Sequence, residues 1–290
     1  MKGGTIVNLH GKVIKTYPKE RVIKVLCSDK IAYLHLQRKA FKDFGPYFYD
    51  NPYVFVEINN NRKLINHVLT YEIESFHRIV QPTNRGREIY YDLDTIKKGV
   101  KKLINRQHNK MFIDLEFTMP SYYQTMPHIS EIIQYGIVIE DKKGNIVFED
   151  SSLVKPNKLY NLNGRTLKFL SRKRSDFDTA ISYKDFYNLL KQCIKEYNPK
   201  IYAWGRSDIA MIESSFKINN VKEIDLKSRH INLMQVMKNY YNLHDEMGLF
   251  QTYKNLSGLN LEEQQHDALE DAMVLREVFA LFKAELNKTK

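Results

Sequence analysis

Apolar and polar positions alternate with period two through most of the first eighty residues. Residues 4–14 alternate and are rich in β-branched side chains. Residues 21–26 and 31–36 follow across a Ser28-Asp29-Lys30 turn, and 53–58 and 67–79 flank an Asn59-Asn60-Asn61 turn. About five short strands in so little chain predict a small all-β barrel over residues 1–80. The pattern then changes. Residues 81–87 read as a loop. Residues 93–104 take helical spacing, with Ile96, Val100, Leu103 and Ile104 on one side and Lys97, Lys98, Lys101, Lys102 and Arg106 off it. Residues 81–109 are thus expected to form a basic linker helix, with a domain boundary near residue 108. The basic face suits phosphate contact, and a solvated face on a connecting helix fits the same pattern.

From residue 110 to 290 strand and helix periods alternate. Three strands are predicted at 111–116, 131–140 and 146–150, the last two joined by an Asp141-Lys142-Lys143-Gly144-Asn145 hairpin turn. A helix at 183–197 follows, then a strand at 200–204, a helix at 207–216, a strand at 221–226, a helix at 231–241 and a last helix over about 268–286. Strands that meander and then alternate with helices predict an α/β domain, a mixed sheet with helices on both faces.

Composition narrows the classes. Forty-three per cent of residues are hydrophobic, enough for a real core. Forty-five Lys and Arg against 34 Asp and Glu leave a formal net charge of +11, which points to a polyanionic partner, most often nucleic acid. Cys27 and Cys193 are far apart and lack metal-ligand spacing. That argues against a disulfide scaffold or structural zinc and fits a reducing cytoplasm. The first residues lack a signal-peptide apolar core, and no apolar stretch is long enough to span a membrane.

The candidate chemistry begins at Met111-Phe112-Ile113-Asp114-Leu115-Glu116-Phe117-Thr118, an apolar run ending in two acids one residue apart. On a strand Asp114 and Glu116 face the same way, expected off the end of the sheet. At ~4 Å two like charges repel by about 4 kcal/mol at an effective dielectric near 20, so a shared proton, a basic partner or a divalent metal must compensate. Asp208 stands where a short strand turns into a helix, the position at which open α/β sheets bind ligands, although helix capping would also explain it. In Gln265-His266-Asp267-Ala268-Leu269-Glu270-Asp271-Ala272, Asp267 and Glu270 resemble a capping box for a helix starting at Ala268. His266 then lies in the loop just outside, Asp271 sits one turn in, and Ala268 and Ala272 keep the helix face thin for close approach to the sheet.

The ordered set Asp114-x-Glu116-x-Thr118, Asp208 after Trp204-Gly205, and His266-x-Ala268-x-x-Asp271-Ala272 resembles the DEDDh, or DnaQ-like, exonuclease superfamily over residues 110–286. Ser130-Glu131-Ile132-Ile133-Gln134-Tyr135-Gly136, Val154-Lys155-Pro156 and Trp204-Gly205 are most similar to its KapD-like branch. The resemblance implies a ribonuclease-H-like fold, two Mg²⁺ (or Mn²⁺) ions and 3′-to-5′ release of nucleoside 5′-monophosphates. It also implies metal ligation by Asp114, Glu116, Asp208 and Asp271, with His266 as general base. Phe117 and Thr118, directly after the acids, are the expected nucleotide contacts. One departure is the longer stretch from Asn161 to Asp178, made basic by Arg165, Lys168, Arg172, Lys173 and Arg174 and suited to steering substrate.

The first eighty residues resemble a cold-shock or other OB-type barrel. The aromatic strand of cold-shock domains is replaced by Val22-Ile23-Lys24-Val25, which leaves Tyr33, His35 and Phe55 either to stack on bases or to fill the barrel core. The expected partner is single-stranded nucleic acid, RNA before DNA. A single-stranded DNA exonuclease of repair or proofreading, a scavenger of very short oligonucleotides, and a nucleic-acid-binding protein with a non-catalytic nuclease fold remain open alternatives.

Overall fold

The computed structural model describes residues 6–28, 30–123, 127–259 and 266–288. The chain divides into two compact units, Met1–Lys102 with Lys238–Asp245, and Leu103–Met237 with Glu246–Lys290.

In the first unit β1 (Ile6–Tyr17), β2 (Val22–Cys27), β3 (Lys30–His35), β4 (Tyr53–Ile65) and β5 (Val68–Thr83) pair in the ring β1-β2-β3-β5-β4-β1. β1 serves two neighbours. Its first half runs against β4, from Ile6↔Asn59 to Lys12↔Tyr53, and its second half runs against β2. A register shift between Val13 and Lys15 lets it turn from one to the other. The ring closes through a short parallel pairing of β3 with β5 at Leu34↔Tyr71 and His35↔Glu72. Alternation fills the interior: Val13, Ile23, Val25, Leu34, Val54, Val56 and Phe76 are buried inside this small barrel.

Two features differ from the sequence reading. A short helix, α1 (Arg38–Phe44), lies between β3 and β4, and its Ala40 and Phe44 are buried in the barrel core. Residues 81–87, expected as a loop, instead extend β5 and turn into β6 (Gly86–Asp92). Their polar residues suit an edge hairpin, which needs no buried face. The basic helix α2 (Leu93–Ile104) forms where expected. The outlying segment of this unit is held by Asn242, whose amide donates to the Phe76 carbonyl at 3.1 Å and whose Oδ1 accepts from the Tyr91 hydroxyl at 3.0 Å.

The second unit is built on a six-stranded mixed sheet. β7 (Lys110–Phe117), β8 (Ile132–Glu140) and β9 (Ile146–Lys155) are antiparallel, and β10 (Ile181–Ser182) joins β9 in parallel. On the other side β11 (Lys200–Ala203) runs parallel to β7, and β12 (His230–Asn232) closes the edge. Helices α3 (Gly164–Phe169), α4 (Tyr183–Tyr197), α5 (Ser207–Ile218), α6 (Leu233–Tyr241), α7 (Leu249–Ser257) and α8 (Ala268–Lys288) complete the order. The strand expected at 221–226 does not form. That stretch is irregular, drops Leu226 into the core, and leaves the edge pairing to 230–232, of which 231 and 232 were expected to open a helix.

Period two along β7 divides its side chains between the layers. Met111, Ile113 and Leu115 join the core cluster that includes Phe186 and Leu190 of α4 and Ile212 and Phe216 of α5. Phe112 faces the opposite way, edge-on to Phe279 of α8. Asp114 and Glu116 share the parity of Phe112, and so lie on the side of α8.

Two contacts fix α8. At its start it meets Gly136, where a Cβ atom would sit 2.1 Å from the Ala268 carbonyl oxygen; only hydrogen allows this approach. Farther along, Arg276 Nε meets Glu140 at 2.7 Å, and the other Glu140 oxygen meets Lys110 Nζ at 3.2 Å. Gly136→Ala is expected to displace the first turn of α8 and to destabilise the protein by about 1–3 kcal/mol, as overpacking does. Urea unfolding of the two proteins measures it, and an unchanged midpoint would contradict the contact.

Candidate active site

Three elements deliver the acids to one place, entirely within the second unit. Asp114 and Glu116 lie opposite Gly136 and Gln134 in the β7–β8 register. They do not point off the end of the sheet as expected, since β8 still pairs with them. The sheet ends on the other flank, where β11 matches β7 only from Lys110 to Phe112. Beyond it the chain turns at Gly205, whose φ of +107° favours glycine, and enters α5 with Asp208 in the first turn. Asp271 comes from the first turn of α8. Glu116, Asp208 and Asp271 are all buried, with 8%, 6% and 6% of their surface exposed.

His266 precedes α8 with φ +50°, a left-handed conformation uncommon for residues other than glycine. Its ring nitrogen and carboxylate oxygens of Glu116 and Asp271 lie within 4.8 Å of one another. Asp267 caps α8, its Oδ1 accepting from the amides of Leu269 at 3.1 Å and Glu270 at 3.3 Å. Its other oxygen accepts from Gln134 Nε2 at 2.8 Å and from an Arg172 guanidinium nitrogen at 3.3 Å.

The electrostatics follow from crowding like charges in a poorly hydrated place. Burial, then the charges of Asp208, Asp271, Glu116 and Asp267, push the Asp114 carboxyl well above its usual range. Burial with Asp271, Asp208 and Asp267 raises Glu116 to about 8. Burial raises Asp208 to about 6, although hydrogen bonds from its own and the Leu115 backbone amides pull the other way. Burial lowers His266. This donor set, hard carboxylate oxygens held away from bulk water with one imidazole beside them, fits divalent metal ions.

The nucleotide contacts expected at Phe117 and Thr118 stand next to the acids in sequence, after a register shift at Glu116/Phe117. Phe117 packs against the core cluster. Thr118 is buried, its Oγ1 accepting from the Glu131 amide at 2.9 Å and meeting His128 Nε2 at 3.2 Å. The basic stretch after Asn161 is more ordered than a steering loop requires. Arg165 donates to the Pro120 carbonyl, Arg174 to those of Leu159 and Leu162, and Arg172 to Asp267.

The sequence reading missed Gln134 and Arg172, and it took Asp267 only as a cap. The signals were weak: Gln134 follows from the strand register, and Arg172 from a fold-level contact.

Residues 111–279, more than half the chain, match the exonuclease family RNase_T, and the chain belongs to that family. The protein is therefore a nuclease of the exonuclease class. A probable 3′-5′ exonuclease, KapD, of Bacillus subtilis (strain 168) is 29% identical over 178 residues, which cover 60% of this chain and 84% of that protein. Among solved structures, the nuclease domain of 3′hExo, a DEDDh family member bound to rAMP, superposes with a TM-score of 0.54 at 16% identity, covering 62% of this chain and 92% of that one. A 3′-exonuclease solved in specific recognition of the histone mRNA stem-loop superposes with a TM-score of 0.52 at 15% identity, covering 62% of this chain and 82% of that one. Among the described residues no helix is long and apolar enough to cross a membrane.

The raised carboxyls make stability fall with pH when no metal is bound. The folded protein holds protons that the unfolded chain has released between the ordinary value of 4.5 and about 8 for Glu116, and between 3.8 and about 6 for Asp208. Their contribution is complete below the unfolded values and is lost as pH rises through the folded ones. Thermal melts in EDTA are expected to drop from pH 5 to pH 8, and Asp114→Asn to flatten that slope by removing one charge. A melting temperature independent of pH, or the same slope in the variant, would contradict the shifts.

Proposed function

We propose that the protein is a metal-dependent 3′-5′ exonuclease of the KapD-like branch, acting in the cytoplasm on single-stranded nucleic acid, with RNA preferred. The observation that carries the reading is the meeting of Glu116, Asp271 and His266, from separate elements, within 4.8 Å, beside the strained carboxyls of Asp114 and Asp208.

In this reading Asp114, Glu116, Asp208 and Asp271 hold two Mg²⁺ or Mn²⁺ ions. When bound, the ions help activate a water and stabilise the leaving 3′-oxygen of a phosphodiester. His266 accepts the proton of the attacking water. Its lowered pKa favours the neutral imidazole near pH 7, the form that can take a proton. Phe117 and Thr118, at the end of β7, are the proposed nucleotide contacts. The product is a nucleoside 5′-monophosphate, and the strand is left with a new 3′-hydroxyl. The preference for RNA draws on the rAMP and the histone mRNA stem-loop named for two solved structures of the same fold, and on the barrel.

The barrel is proposed as an OB-like module that grips the strand upstream. Its strand order, with β3 parallel to β5 and a helix between β3 and β4, supports this. Ile23 and Val25 belong to its core, while Phe55 stacks on His10 at 5.6 Å and Lys24 lies 5.7 Å from the centre of the Tyr33 ring. Aromatic faces beside lysines suit bases and phosphates.

Three sets of measurements test the reading. On 5′-labelled single-stranded RNA, single-stranded DNA and duplex, with Mg²⁺, Mn²⁺ or EDTA, stepwise shortening of the single strands is expected with metal and none with EDTA. Asp114→Asn or Asp271→Asn is expected to abolish cleavage in a folded protein. His266→Ala should lower turnover ~10²–10⁴-fold with metal affinity nearly intact; collapse of metal binding would make the histidine a ligand instead. For the barrel, Lys12→Glu with Lys15→Glu is expected to weaken binding of long RNA and to make its salt dependence shallower, since each lost phosphate contact releases fewer counterions. Unchanged affinity and salt slope would remove the barrel from the nucleic-acid path.

A further inference from the structure

The basic stretch after Asn161 carries a contact that substrate steering does not explain. The ring of Phe169, last residue of α3, stacks on the imidazole of His266, with centroids 3.9 Å apart and planes inclined by 28°. Phe169 stays 37% exposed, so core packing alone gives little reason for an aromatic there. The shelf is fastened on two sides. Towards the acid-bearing strand, Asn163 Nδ2 donates to the Met119 carbonyl at 2.7 Å and Thr166 Oγ1 accepts from the Met119 amide at 2.9 Å. Towards α8, Arg172 meets Asp267, the residue next to His266. His266 itself is held with positive φ, a backbone state that surrounding contacts must stabilise.

We propose that Phe169 is a positioning residue, a flat apolar shelf that holds the His266 imidazole against Glu116 and Asp271. The inference rests on the reading of His266 as general base. The stretch from Asn161 to Asp178 then ties the residues following the acids of β7 to the turn that presents the base. A histidine in a loop otherwise samples many rotamers, and a proton acceptor displaced by about 1 Å can cost on the order of 10²-fold in rate.

The test compares Phe169→Ala, Phe169→Tyr, His266→Ala and the double variant Phe169→Ala/His266→Ala in the full chain, with kcat and KM measured on a short single strand and folding checked by thermal melting. Phe169→Ala is expected to lower kcat about 10- to 100-fold with KM within about twofold, and Phe169→Tyr, which keeps the flat ring, to recover most of it. Because Phe169 acts through His266, the double variant is expected to be no slower than His266→Ala alone. A rise in KM with kcat preserved would make Phe169 a substrate contact and overturn the proposal, as would multiplicative losses in the double variant or failure of Phe169→Tyr to recover the rate. Should His266→Ala alone keep normal turnover, the base assignment falls and takes the shelf with it. A slow His266→Ala with an additive double variant rejects the shelf only.

Discussion

Mutual repulsion among buried carboxylates is the constraint around which the second unit is arranged. Asp114, Glu116, Asp208 and Asp271 sit close enough, and far enough from water, that each of the first three holds its proton well beyond the ordinary range. Left charged and unneutralised, such a group would favour unfolding. The rigidity of its supports keeps it together: a strand paired along β8, a helix entered through the Gly205 turn, and a second helix pressed onto the sheet at Gly136. Without a Cβ at Gly136, the first turn of α8 reaches the strands closely enough for Asp271 to join Glu116.

Strands β7 and β8 bear charge in another way at their far end. Lys110 and Glu140 are register partners on β7 and β8, and Arg276 from α8 supplies a second cation to the same carboxylate. Each charge there has an opposite partner, Arg276 also meeting Glu277 at 2.7 Å, and the Lys110 ammonium also lies over the Phe279 ring. Removing Glu140 would leave the buried Lys110 ammonium without its ion-pair partner, a large penalty. Two places along α8 thus contrast: midway, an ion cluster with its own counter-charges anchors the helix, and at the first turn stands an acidic cluster whose counter-charge is suited to come from bound cations. Stability concentrated midway makes the strain at the first turn tolerable.

Burial also divides the roles of aromatic residues. Phe112, Tyr202 and Phe279 form a packed group beneath α8. Phe169 and Phe55 retain one accessible side while stacking on a histidine with the other. Composition does not distinguish these cases, because a phenylalanine in a short helix reads the same whether it faces a core or a loop.

The sequence by itself determined the period of nearly every large element, the parity of Asp114 and Glu116, the cap at Asp267, the thin face of Ala268 and Ala272, and the order of acids that marks the exonuclease class. These are local properties, set by spacing and side-chain type within a few residues. Tertiary structure decided what depends on distant pairing. It placed the edge strand at 230–232 rather than 221–226, because β11 offered that register and the core took Leu226. It kept Asp114 inside the sheet, set Gln134 and Arg172 on Asp267, and laid Phe169 on His266 across nearly a hundred residues of chain. Such contacts join residues whose proximity exists only after the sheet has formed, so no local pattern in the chain encodes them.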